Sequence, residues 1–146
     1  MKYKEYLKKS EIFANEAQVD IDNACYNKAV SALWFMIEAL FRAILNYYKQ
    51  SMPSKSGAVI AKTISFIREW KVNKRDLEEL GIASTLYTLR NEIDHKRTIA
   101  TKTSVRSALS CAIRILQALR KLLHRKAPDI VQTIGNLVLV LSRIDI

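Results

Sequence analysis

Apolar residues recur at helical spacing along almost the whole chain, and no stretch alternates between apolar and polar residues as a half-buried strand would. Only three glycines and two prolines interrupt the 146 residues, so long helices can form. The pattern predicts six helices, at about residues 2–19, 22–50, 58–70, 76–98, 101–125 and 128–143. Because the connections are short, we expect one all-α domain over residues 1–146, an up-and-down bundle of five to six helices.

The ends of the predicted helices carry residues that favour capping. Asp20 or Asp22 is expected to cap the second helix, and Thr101 or Thr103 the fifth, because short polar side chains accept hydrogen bonds from the free N–H groups of a first turn. Pro128 suits the opening turn of the last helix. The inward positions expected on the first helix are Tyr6, Ile12, Phe13 and Ala17.

The composition argues against several classes of site. The three glycines are too scattered for a phosphate-binding loop or a dinucleotide fingerprint. His95 and His124 are the only histidines and have no closely spaced cysteine or carboxylate set around them, so we expect no metal site and no cofactor. Cys25 and Cys111 lie far apart in apolar helical patterns, which favours buried free thiols in a reducing compartment.

Two segments bear on localisation. Residues 1–6 are charged where the apolar part of a secretory signal would follow. Residues 29–45 are nearly long enough to span a membrane, but Glu38 and Arg42 interrupt them four residues apart, where they can pair within a bundle. We therefore expect a cytoplasmic protein that does not enter a membrane.

The net charge of +10 is concentrated in one part of the chain. Residues 96–127 contain nine basic residues and no acidic one. On the fifth helix the basic side chains fall opposite an apolar face formed by Val105, Leu109, Ala112, Leu116, Leu119 and Leu123. Such a face can simply be solvated, but a surface of one sign also suits a polyanion, with a phosphate backbone the first candidate and an anionic membrane surface the second.

The fourth predicted helix turns from apolar to charged along one face. Ala83 and Tyr87 begin a row whose next positions are Arg90 and Asp94. Asn91 and His95 stand four residues apart beside them. A surface ion pair next to an exposed histidine explains these residues, and so does a small polar site in which His95 acts as an acid or base.

At this motif the sequence resembles the HEPN family. Residues 89–95 (Leu-Arg-Asn-Glu-Ile-Asp-His) look like its Arg-Asn-x-x-x-His motif, and residues 26–34 look like its Tyr-x-x-Ala-Val segment. The resemblance covers roughly residues 3–125 and leaves the last helix outside.

The resemblance implies a helical homodimer in which two Arg–His motifs face each other across a cleft. Many such proteins are metal-independent endoribonucleases, often toxins paired with a nucleotidyltransferase-like antitoxin. On this basis Arg90 and His95 would be catalytic, with Asn91 and Asp94 orienting them, and cleavage would leave a 2′,3′-cyclic phosphate. Arg97 stands where toxin members often carry a modifiable tyrosine, so that form of regulation is not expected here.

RNA would then follow the basic residues toward the cleft. The residues expected to contact it are Lys96, Arg97, Lys102, Arg106, Arg114 and Lys121. The alternative is a non-catalytic module that binds RNA, a nucleotide or an acidic protein, in which Glu38–Arg42 and Arg90–Asp94 fix a dimer interface. The apolar run at residues 137–141 either closes the core or belongs to an oligomer interface.

Overall fold

The computed structural model describes residues 1–146 and contains helices joined by turns, with no strand. The helices are α1 (Tyr3–Asp22), α2 (Tyr26–Tyr47), α3 (Ser56–Arg68), α4 (Lys74–Glu79), α5 (Ile82–Asp94), α6 (Lys102–Leu122) and α7 (Pro128–Ser142). The prediction of an all-α helical bundle is confirmed.

Helix α2 forms the centre of the bundle and packs against α1, α3, α5 and α6. Its side chains include the largest fully buried ones, among them Trp34 and Phe41. By length and composition α2 is apolar enough to cross a bilayer, but 72% of its most apolar window is buried inside the protein. The apolar character of α2 therefore has a sufficient explanation in the core.

Helix α1 packs along α2 through a stripe that includes small residues. Ser10, Ala14 and Ala17 are buried on this stripe, so the two helices approach closely. The predicted inward position of Ala17 is confirmed, and Phe13 is half-buried. Ile12 was expected to point inward, but it is 49% exposed because the small residues, not the bulkier neighbour, face α2.

The predicted acidic cap of the second helix is wrong. Helix α1 continues through Asp22, so Asp20 and Asp22 lie in its last turn, and α2 begins after Cys25 with no side-chain cap. The chain reverses through Ala24, which has a positive φ of 55°. Thr101 does cap α6, where its side chain and that of Ser104 form a reciprocal capping box.

The segment predicted as the fourth helix forms two helices. Asn73 caps α4 by accepting hydrogen bonds from the backbone N–H groups of Arg75 and Asp76. The break falls at Leu80 and Gly81, where a Cβ on Gly81 would lie 3.1 Å from the carbonyl oxygen of Glu78. The motif therefore lies on a separate helix, α5, which begins at Ile82 and not at the predicted residue 76.

Helix α5 also ends before the predicted residue 98. His95 is its C-cap, and Lys96 adopts a positive φ of 59°. The backbone N–H of Lys96 donates to Ile93 and that of Arg97 donates to Glu92, which is the pattern of a Schellman motif. The chain therefore leaves the helix directly after the motif histidine.

Helix α7 packs onto α6 and α1 and completes the core. Its buried side chains are Ile130, Thr133, Ile134, Leu137 and Leu141. At its first turn Asp129 accepts a 2.8 Å hydrogen bond from the Tyr3 hydroxyl, which raises the pKa of Tyr3. Of the two roles considered for the last helix, closing the core is the one that the packing supports.

The two cysteines are less buried than expected. Cys25 is exposed because it lies in the short turn between α1 and α2. Cys111 is half-buried on α6, and this burial raises the pKa of its thiol. Both are free thiols.

Candidate active site and basic surface

Arg90 is held on one face of α5 by three neighbours. Its Nε lies 2.6 Å from Asp94 Oδ2, an ion-pair contact in which the N–H does not point at the oxygen. Its Nη1 donates a 3.2 Å hydrogen bond to Asn91 Oδ1. The guanidinium lies 4.9 Å from the centre of the Phe35 ring, within the range of a cation–π interaction. These contacts fix the guanidinium and leave Nη2 without a partner.

Asp94 joins this arginine to the central helix. Its Oδ1 accepts a 3.2 Å hydrogen bond from Ser31 on α2, while its other oxygen faces Arg90. Asn91 and Asp94 were predicted to orient Arg90 and His95; both side chains contact Arg90, and neither is hydrogen-bonded to the His95 side chain. The side chains of Arg90 and Asp94 are 23% and 37% exposed, so the pair is partly accessible to solvent.

Sequence reasoning missed Ser31 and Phe35 as parts of this arrangement. Both lie on α2, about 60 residues before the motif in the chain. The only signal was their helical spacing, which places them on one face of α2 four residues apart. Their pairing with α5 is a tertiary contact that no local pattern specifies.

His95 lies apart from the arginine cluster. It is exposed at the C-terminal end of α5, and its side chain makes no hydrogen bond. The backbone N–H of His95 donates to the Asn91 carbonyl at 3.0 Å, but no hydrogen bond joins the imidazole to Arg90 or to Asn91. The imidazole is therefore accessible to solvent and to a molecule bound at this end of the bundle.

A cleft of about 440 Å³ opens beside the arginine cluster, between α1, α2 and the end of α5. Phe13 and Phe35 form its aromatic wall, with ring centres 5.4 Å apart. Ser31 and Asp94 line the same cleft, so Arg90 borders it through its contacts with Asp94 and Phe35. This volume lies within the range of small-ligand sites.

The basic residues of α6 occupy the surface that the sequence predicts. All six apolar residues of the predicted inner face are buried. The six predicted RNA contacts are all exposed, two in the turn after α5 and four along α6. Exposed basic residues therefore run from the turn after α5 along α6: Lys96, Arg97, Lys102, Arg106, Arg114 and Lys121.

Two of these residues already have partners. Arg114 forms two hydrogen bonds, of 2.9 and 3.0 Å, with the carboxylate of Glu79 at the end of α4. This carboxylate raises the pKa of Arg114. Arg106 donates to the backbone carbonyl of Ile146 at 2.7 Å. The fifth predicted helix has no acidic residue of its own, but α4 supplies one from outside it.

Glu38 and Arg42 form the ion pair expected from their spacing, with Arg42 Nη2 2.8 Å from Glu38 Oε2. Arg42 also donates to the backbone carbonyl of Pro53, and Ser56 donates to Glu38. The pair thus contacts the α2–α3 loop and the first residue of α3 within its own chain.

The chain contains no group of three or more His, Cys, Asp or Glu side chains placed to hold a metal ion. The sequence matches no protein-family model and no curated protein, and the structure matches no solved structure. The likeness to the HEPN motif therefore stays a prediction.

Proposed function

We propose that the protein is a metal-independent, toxin-like endoribonuclease of the HEPN type, which cuts RNA with Arg90 and His95 at a cleft between two copies of the chain. One observation carries the proposal: Asp94, Asn91 and Phe35 fix the Arg90 guanidinium at the surface of the chain, beside the cleft that α1, α2 and α5 of that chain form, and leave its Nη2 without a partner. Fixed charge stabilises a transition state better than a mobile side chain, because it needs no reorganisation during the reaction.

The chemistry requires a base and an anion clamp. Neutral His95 would take the proton from a ribose 2′-hydroxyl, whose oxygen then attacks the adjacent phosphorus. The bond to the 5′ oxygen breaks, the imidazolium returns a proton to that oxygen, and the products are a 2′,3′-cyclic phosphate and a 5′-hydroxyl. The free Nη2 of Arg90 would bind the phosphate as negative charge grows on its oxygens.

The basic face of α6 would guide RNA to this end of the bundle. Lys96 and Arg97 follow His95 directly in the chain, and Lys102 begins α6. A single-sign surface raises the local concentration of a polyanion and orients it before contact. A small nucleotidyltransferase-like protein remains the proposed antitoxin.

The test is cleavage of total and single-stranded RNA by purified protein in EDTA, with the chemistry of the product ends determined. We expect the wild type to leave 2′,3′-cyclic phosphates, at a rate that falls as the pH is lowered and the base is protonated. His95→Ala should reduce the rate by about 100-fold or more. His124→Ala is the matched control, because this exposed histidine on the far end of α6 should not affect the rate.

The variant Arg90→Lys distinguishes the role of Arg90 in binding the phosphate from its role in stabilising the fold. It keeps a positive charge opposite Asp94 but loses the planar fork, so cleavage should fall while thermal unfolding changes little. Equal rates for His95→Ala, His124→Ala and wild type would exclude His95 as the base. Cleavage that EDTA abolishes would exclude the metal-independent reaction.

The second candidate is a non-catalytic module that binds RNA, a nucleotide or an acidic protein. The observation that favours it is the chain of contacts from Ser31 through Asp94 to Arg90, which also serves to fix α5 against α2. This reading expects RNA binding without turnover in every condition above.

A further inference from the structure

The cleft beside Arg90 has an ordered lining that follows from the register of α1 against α2. Tyr3 contacts Tyr47 and Phe13 contacts Phe35, as in an antiparallel pair of helices. Along the axis of α1, a residue three positions after Phe13 lies about 4.5 Å beyond the two phenylalanines, and a residue seven positions after it lies about 10 Å beyond them, at 1.5 Å rise per residue. Glu16 of α1 and Ala32 of α2 lie at the nearer of these two distances, and Asp20 of α1 and Lys28 of α2 lie at the farther one.

This order leaves open space between an aromatic wall and a charged end. Ala32 carries a single methyl group at the level of Glu16, so the floor of the cleft is low there. Glu16, Asp20 and Lys28 make no ion pair or side-chain hydrogen bond within the chain. The two carboxylates and the ammonium group can therefore receive partners from a bound molecule.

We propose that this cleft binds a guanine base of the RNA, a substrate preference that rests on the ribonuclease function proposed above. Two unpaired carboxylates repel phosphates, so the backbone would lie outside, against Arg90, and only a base would enter. The base would lie over Ala32 with one ring edge toward Phe13 and Phe35, whose rings form an apolar wall at that end of the cleft.

Guanine is the base whose edge fits this lining. Its N1–H and N2 amino group are adjacent donors for the carboxylates of Glu16 and Asp20, and its O6 beside them is an acceptor for Lys28. Adenine presents an acceptor at N1, which would face a carboxylate. Uracil has a single N–H between two carbonyl oxygens, so one carboxylate would lose its partner and its hydration together.

The experiment compares the affinities of guanosine, inosine, adenosine and uridine 5′-monophosphates for the full chain by calorimetry at constant salt. Inosine monophosphate is the matched ligand, because it lacks only the N2 amino group. We expect guanosine monophosphate to bind about tenfold tighter or more than inosine monophosphate, since hydrogen bonds to charged groups are the strong ones.

Isosteric variants assign the preference to the cleft. Glu16→Gln and Asp20→Asn should each reduce the ratio of guanosine to inosine affinity. Glu16 is exposed and Asp20 is half-buried, and both substitutions keep the size of the side chain, so folding should persist. Glu11→Gln, exposed on the same helix outside the cleft, should leave the ratio unchanged. Equal affinities for the four nucleotides, or the same ratio in all three variants, would overturn the proposal.

The binding assay does not depend on cleavage. If the protein binds guanosine monophosphate selectively but cuts no RNA, the guanine site is supported and the proposed ribonuclease function is excluded. If the protein cuts RNA with no preference for guanine near the cut and binds the four nucleotides equally, the ribonuclease function is supported and the guanine site is excluded.

Discussion

At the scale of single residues, Glu38 and Arg42 are the charges most deeply placed in the apolar part of the chain. Their side chains are only 12% and 16% exposed. Each also has a partner outside α2: Glu38 accepts from Ser56, the first residue of α3, and Arg42 donates to the carbonyl of Pro53 in the α2–α3 loop. The pair therefore connects the central helix to the α2–α3 loop and to the first turn of α3.

Removing one partner should cost more than removing both. Arg42→Met leaves Glu38 largely buried and unpaired, so we expect the free energy of unfolding to fall by about 3 kcal/mol. The double variant Glu38→Leu, Arg42→Met should lose less, because no uncompensated charge remains. Urea unfolding of the two variants and the wild type measures this, and a larger loss in the double variant would contradict it.

The spacing of Glu38 and Arg42 sufficed to predict that they pair, because residues four apart are neighbours on a helix. It could not predict their contacts with Pro53 and Ser56, since a loop's path depends on the tertiary fold. The same limit applies at Arg90, where Asp94 was predictable from its spacing and Phe35 was not. Local sequence patterns specify which residues are neighbours on one helix, whereas contacts between helices and loops depend on the packing of the whole chain.

At the scale of helices, α6 shows how far periodicity reaches. Its apolar positions predicted the buried face, and its charged positions predicted the exposed one. The ion pair of Arg114 with Glu79 was not predictable, because the acid belongs to α4, a helix that the sequence merged with α5. The basic face is consequently less uniform than the sequence suggests.

This difference predicts unequal contributions to RNA binding along α6. Lys102 and Lys121 have no partner in the chain, so Lys102→Gln and Lys121→Gln should each weaken binding and reduce the slope of log affinity against log salt by about one. Arg114→Gln should change the slope less, because Glu79 already neutralises Arg114. Affinities for one single-stranded RNA at several salt concentrations test this, and three equal changes in slope would refute it.

At the scale of the whole molecule, α7 determines whether residues 3–125 form a complete fold. The Tyr3 hydroxyl bonds to Asp129, so the first and last helices are tied together. The buried apolar side chains of α7 belong to the same hydrophobic cluster as those of α1, α2 and α6. The resemblance to a known family stopped before this helix, but the core does not.

Two leucines on α7 test whether this helix belongs to the core, because they are the same residue type and differ in burial. Leu137 is 1% exposed and Leu139 is 55% exposed. Leu137→Ala should lower the free energy of unfolding by about 2–5 kcal/mol through the cavity it leaves, while Leu139→Ala should change it by less than about 0.5 kcal/mol. Denaturant unfolding at two protein concentrations separates core from interface. A loss at Leu139 that is present at high protein concentration and shrinks on dilution would place that leucine between two copies of the chain, because association stabilises the wild type only where dimers form. A loss confined to Leu137 and independent of concentration makes α7 part of each monomer's core.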